Sequence, residues 1–302
     1  MATLARSRAF GAGFRLIAER PCAVLAWIGV YLLIGLAPQA LMFVWVLGDF
    51  AATEAGEATA GAMMRAQFGL PLLQLVQVVG GLSASAILSC AVMRALLEPQ
   101  DSARAYLRLG VQEALVGAVL AVGGVLLFIL LAVSLIPILF AAALAALASN
   151  PEGGGGAGGV VVALLGAILV SALLIGLSAR FLPALPMTFA ERTFRLFEAW
   201  TLTRGHGRKL AELMIALAAA AIAIELVAFI IMAVPMGMFM AGRADQMGAW
   251  MDGAAPVNMG ALAPWIVLFT VLFAVLSVLV NIVVFAPWVD VYRQLAAEAA
   301  PA

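Results

Sequence analysis

Val125-Leu-Leu-Phe-Ile-Leu-Leu-Ala-Val133 places nine apolar side chains in succession, with no polar position at a period of 2 or of 3.6. A membrane β-strand alternates lumen-facing polar residues with lipid-facing apolar ones, and an amphipathic soluble helix keeps a polar face, so neither accommodates this run. A helix with apolar surroundings on every side does. The run lies within a longer charge-free stretch, residues 114 to 151. About 20 apolar helical residues are enough to cross the hydrocarbon core of a bilayer.

Working outward, residues 21 to 48, 66 to 93, 153 to 179 and 253 to 289 are also free of charged side chains, and 213 to 242 contains only Glu225. These stretches predict an all-α, polytopic membrane protein with six transmembrane helices. The composition agrees: 66% of the 302 residues are hydrophobic and 11% charged, with a mean hydropathy of +1.15. A soluble chain carries roughly a quarter charged residues, so a water-soluble enzyme and a disordered chain are both excluded. Arg6, Arg8, Arg15 and Arg20 before the first span resemble the basic start of a signal peptide. The apolar run nevertheless continues through Leu41-Met-Phe-Val-Trp-Val-Leu47, past the small-residue site near Ala37, and reads as a retained helix.

With six spans drawn, 14 of the 16 Lys and Arg residues fall on the side that holds the N-terminus, and only Arg65 and Arg243 on the other. Positive residues mark the cytoplasmic side, so both termini are expected in the cytoplasm. The net charge of zero thereby resolves into +5 inside, −4 outside and Glu225 within the membrane. The balance gives no footing for a nucleic-acid partner.

Pro38, Pro137 and Pro235 stand near the outer ends of the odd spans, 99 and 98 residues apart, and Phe10, Tyr106 and Trp200 precede those spans at separations of 96 and 94. Glu98, Glu191 and Glu298 follow the even spans. This shared order predicts one membrane domain, 1–302, built from three pseudo-repeated helical hairpins at approximately 1–98, 99–191 and 192–302. Each odd helix is expected to bend at its proline. The stretches around Phe10, Tyr106 and Trp200 are amphipathic and are expected to lie in the headgroup plane. Arg204, His206, Arg208 and Lys209 are the candidates there for holding an anionic lipid headgroup.

Within the spans, polar and small residues recur at helical spacing. Span two presents Gln74, Gln77, Gly81, Ser85 and Ser89; span four presents Ala163, Ala167 and Ser171, with Ser178 further on; span six presents Thr270, Ala274, Ser277 and Asn281. Such stripes join membrane helices, which puts the even helices at the centre of the expected bundle, or they line a polar path. Glu225 is 15 residues from Leu210 and 16 from Ala241, too deep to reach either interface easily. An ionised acid at that depth is expensive, so a neutral or hydrogen-bonded carboxyl is expected, with Asn281, Ser277 or a glutamine of span two as its partner.

Catalytic patterns are missing. His206 is the single histidine, which removes zinc-protease helices and intramembrane Ser/His designs. No glycine-rich loop leads into a Lys-Ser/Thr pair, and neither a metal nor a cofactor is expected. Cys22 and Cys90 fall near the inner ends of their helices, on a reducing side.

Three repeats with prolines in the odd helices invite comparison with mitochondrial carriers, whose prolines are followed by an acid and then a base. Here Gln39-Ala-Leu-Met, Ile138-Leu-Phe-Ala and Met236-Gly-Met-Phe follow them, without charge. The stretch Phe197-Glu-Ala-Trp-Thr-Leu-Thr-Arg-Gly-His206, with a basic pair and a long Leu/Ala span after it, resembles bacterial six-helix membrane proteins. These are grouped with the membrane domain of glycerophosphoryl diester phosphodiesterases and with the YciC-like family. The resemblance implies a bacterial cytoplasmic (inner) membrane protein without the catalytic barrel that accompanies some members, and it carries over no functional residues. Two roles follow as expectations: a module that binds, or helps transport, a lipid or small hydrophobic solute, or a structural or accessory subunit without its own ligand.

Overall fold

In a computed structural model, residues 9–36, 38, 60–100, 102–148, 156–243 and 259–299 are described. The segments 39–59, 149–155 and 244–258, with all six acids expected on the outer side and the glycine-rich tether, lie outside them, as does Arg6-to-Arg8 at the start. The described residues form helices and turns, and no strand occurs among them. In chain order the elements are α1 (Ala12–Glu19), α2 (Pro21–Val30) running on as a π-helical turn (Tyr31–Leu36), α3 (Ala60–Leu97), a short turn (Ala103–Tyr106) and α4 (Val111–Ala148). Then follow α5 (Gly156–Phe181), α6 (Ala184–Glu191), α7 (Glu198–Leu202), α8 (Gly207–Ala241) and α9 (Met259–Ala299).

Five of these helices are long and apolar enough to cross a membrane, and a sixth span results when α1 and α2, bent by 98° to each other, are taken as one. The bend falls at Arg20-Pro21. Proline biases the residue before it away from the helical region, and Arg20 adopts φ −134. The molecule is thus a multi-pass helical membrane protein. Pro137 and Pro235 sit inside α4 and α8 rather than ending them. α4 therefore extends over 38 residues, about 57 Å at 1.5 Å per residue, so tilt or projection must absorb its excess over a core of about 30 Å. Only the first of the three prolines accompanies a change of helix type. Pro38 has no N–H for the carbonyl of Ile34, and the π-helical turn lies immediately before it. Gly80 of α3 packs onto that carbonyl so closely that a Cβ there would stand 2.8 Å from the oxygen.

The chain divides into two compact units. One comprises Gly11–Leu109 and Ala219–Ala286. Its core gathers Ala12 and Leu16 of α1, Trp27 of α2, Leu88 and Val92 of α3, Tyr106, and Ala274, Val278 and Ile282 of α9. On α1 the buried face is Ala12, Gly13 and Leu16, whereas Phe14 points outward. Arg104, Ala105 and Tyr106 all adopt left-handed backbone conformations, with φ of 54, 54 and 66. The turn is fastened at its carbonyls: the indole N–H of Trp27 donates to Ala105 at 2.8 Å, and Nη1 of the buried Arg94 donates to Tyr106 at 2.6 Å.

The other unit comprises Met1–Phe10, Gly110–Ala218 and Pro287–Ala302. Ala179, Leu210, Leu213, Leu217, Trp288, Val291 and Leu295 form its core. α4 and α5 meet where Gly166 leaves room for Ile138. The expected packing stripe of span four is corrected here: Ala167 and Ser171 are exposed, and Gly166 and the buried Val170 take the inner face instead. Ala163 lies among the side chains outside the described set. Gln112 of α4 donates to the Phe189 carbonyl of α6 at 3.1 Å, tying these two helices together.

Candidate functional site

Helical periodicity brings Glu225 into a row with Ile222, Leu226 and Phe229 on α8, and it brings Ser277 into a row with Phe273 and Asn281 on α9. These two rows face one cleft of about 720 Å³, within the unit that contains Ala219–Ala286. Three polar side chains, Glu225, Ser277 and Asn281, interrupt walls otherwise built from aliphatic and aromatic groups. Glu225 is exposed in the chain, so its carboxyl is reachable from the bilayer side. Among the described residues its side chain makes no hydrogen bond or ion pair. The amide oxygen of Asn281 is buried and likewise has no partner. A buried amide acceptor left unpaired costs about 1–3 kcal/mol, so it offers a ligand donor a place to bind.

The structure therefore unites three of the six intramembrane candidates and leaves three apart. Gln74 is exposed on α3, Gln77 and Ser85 are half-buried, and none of them lines the cleft. The stripe on α9 is also shorter than its sequence suggests. Thr270 returns its hydroxyl to the Ile266 carbonyl of its own helix at 2.7 Å, and Ala274 is fully buried in the core.

The interfacial candidates occupy the turn between α7 and α8. Thr203 closes α7 by donating to the Ala199 carbonyl at 2.8 Å, and Gly205 reverses the chain at φ +87, a conformation that side chains other than glycine's rarely tolerate. Arg204 projects outward and is exposed; His206 lies 3.6 Å from Glu298; Arg208 pairs with Glu212 at 3.1 Å; Lys209 is half-buried. Of the four, Arg208 lines a cleft together with Gly205 and Gly207. Arg180, at the end of α5, is the cation that sequence reasoning missed. Its guanidinium lies 4.3 Å from the ring centroid of Trp200, and Phe181 packs on the same ring at 5.8 Å. Arg180 and Trp200 are separated by a proline turn and α6, so nothing in their spacing announces the pair. The two consecutive aromatic and basic positions at 180 and 181 were the available signal.

No family model matches the chain, and no curated protein or solved structure matches it either. Its class, a multi-pass helical membrane protein, rests on the helices themselves.

Proposed function

We propose that the protein is a non-enzymatic module of the bacterial cytoplasmic membrane that holds a lipid or small hydrophobic solute in the cleft between α8 and α9, in a binding or transport-related role. The observation that carries this reading is the cleft's makeup: a mostly apolar volume of about 720 Å³ with Glu225, Ser277 and Asn281, whose buried amide oxygen has no partner, at its wall. Ligand sites have that character, mostly apolar with a few placed polar groups. The reading includes six spans in three related hairpins with both termini in the cytoplasm, which the charge asymmetry supports.

Replacing Asn281 by Leu separates ligand binding from structure. It removes an unpaired buried acceptor, so the empty protein is expected to gain stability by about 1 kcal/mol while a co-purifying lipid or solute is lost. Thermal unfolding in detergent and mass spectrometry of extracted ligands measure the two effects. Glu225→Gln keeps hydrogen bonding but removes the exchangeable acid, and a proton-coupled activity would be lost with it. A dry, ligand-free cleft in a structure determined in native lipid, with identical co-purifying species in wild type and Asn281→Leu, would instead make the chain a structural or accessory subunit.

Topology is tested independently. Alkaline phosphatase, active only outside the cytoplasm, is expected to be inactive when fused after Ala302 and active when inserted between Asp49 and Arg65. The reverse pattern would overturn the orientation.

A further inference from the structure

We propose that the cleft beside Arg180 is a binding site for a phosphate-ester anion, with a membrane phospholipid as the source that its shape favours. The cleft is open to the surface and has a volume of about 630 Å³, with Arg180, Trp200 and Arg208 at its polar end and Leu173 and Gly176 of α5 along its apolar side. Among the described residues no carboxylate lines it. Among the described residues Arg180 has no acidic partner, and the Arg208–Glu212 pair sits at the exposed rim. Stacking on Trp200 at 4.3 Å holds the guanidinium plane and leaves N–H donors at its edge for the planar, bidentate contact that phosphate oxygens accept.

Gly207 completes the cradle. A Cβ at that position would lie 2.8 Å from Nη2 and 3.2 Å from Nε of Arg180. Glycine at 207 thus leaves room for the guanidinium on the ring, and glycine at 205 permits the turn that brings position 207 beside it. From Arg180 the face of α5 that includes Gly176 and Leu173 leads one and two turns back along the span. A headgroup phosphate at Arg180 therefore continues into a surface suited to an acyl chain. A free phosphate ester offers the same anion without using that surface. The site is separate from the Glu225 cleft and does not depend on its occupancy.

Native mass spectrometry of the full chain in detergent, titrated with phosphatidylglycerol, phosphatidylcholine or inorganic phosphate, tests the assignment. Wild type is expected to retain phosphatidylglycerol in preference to phosphatidylcholine. Arg180→Gln is expected to weaken that retention by about tenfold, the loss of one charged hydrogen-bonding partner, while Arg204→Gln stays within about twofold. Gly207→Ala keeps every charge but pushes the guanidinium off the ring, so it is expected to weaken retention as Arg180→Gln does, and it stands in should that variant fail to fold. Displacement of phosphatidylglycerol by equimolar inorganic phosphate would keep the anion site and assign it to a soluble ester. Retention unchanged in both Arg180→Gln and Gly207→Ala, or an equal loss in Arg204→Gln, would overturn the proposal in favour of diffuse surface charge.

Discussion

Arg94→Ala is expected to destabilise the protein by about 3 kcal/mol and to open the turn at 103–106 to protease. Arg94 is 2% exposed, and its guanidinium donates to the Tyr106 carbonyl at 2.6 Å. That carbonyl belongs to the third of three successive left-handed residues, and each costs about 1–2 kcal/mol relative to right-handed backbone. The turn therefore persists only because its surroundings hold it. Trp27 holds the Ala105 carbonyl, the Tyr106 hydroxyl donates to Pro99 at 3.3 Å, and the guanidinium of Arg20 covers the Tyr106 ring at 4.8 Å. Removing Arg94 takes away a charged hydrogen bond and leaves a void where a large side chain was enclosed. Arg104 and Arg108 are exposed in this segment, so trypsin reports directly on its release. Wild type is expected to resist cleavage in detergent, and Arg94→Ala to be cut after both arginines. Trp27→Phe removes one neutral hydrogen bond and is expected to cost about 1 kcal/mol. Because both side chains fasten one turn, the double variant should lose less than the two single losses together. Full protection in Arg94→Ala would mean that the strain is carried elsewhere.

The contrast between Arg94 and the apolar spans shows which parts of this molecule were legible in the sequence. Apolar runs such as 125–133 identify helices because the bilayer imposes one requirement on every residue of a span, and such a requirement is visible locally. The Glu225 cleft was legible for a related reason. Glu225 is alone at its depth, and Ser277 and Asn281 are one turn apart on α9, so periodicity placed the last two in one row, although Glu225 itself is exposed. Long-range partnerships were not legible. Arg94 fastens a carbonyl 12 residues away, and Arg180 stacks on a ring 20 residues away across a proline turn, and neither contact has a periodic signature. The packing stripe on α5 failed by one residue for another reason. Ala167 and Gly166 are both small, and only the position of Ile138 on the partner helix decides which of them faces inward.

A similar ambiguity surrounds Gly13, and its replacement by Ala is the second large effect expected. Alanine normally stabilises a helix relative to glycine by about 0.5–1 kcal/mol. At Gly13 the sign should reverse, because an added Cβ would stand 2.7 Å from the Cα of Val283 and 2.9 Å from the carbonyl oxygen of Ile282. Both are backbone atoms of α9, so no side-chain rotation relieves the contact and the helices must move apart. In the same core, Ala12 and Leu16 flank Gly13 on α1, and Ile282 and Val283 are buried on α9, so separation exposes all four. Overpacking of this kind costs about 1–3 kcal/mol for a single methyl group, and Gly13→Leu should exceed that range. Gly29 provides the internal control. It lies in α2 with nothing within 4 Å of its virtual Cβ, so Gly29→Ala should be neutral or stabilising. Thermal unfolding of the three variants in one detergent decides the matter: opposite signs for Gly13→Ala and Gly29→Ala place the α1–α9 crossing at backbone contact. Equal, small effects would show that α1 is not seated on α9, leaving it an amphipathic helix held by the headgroup layer alone.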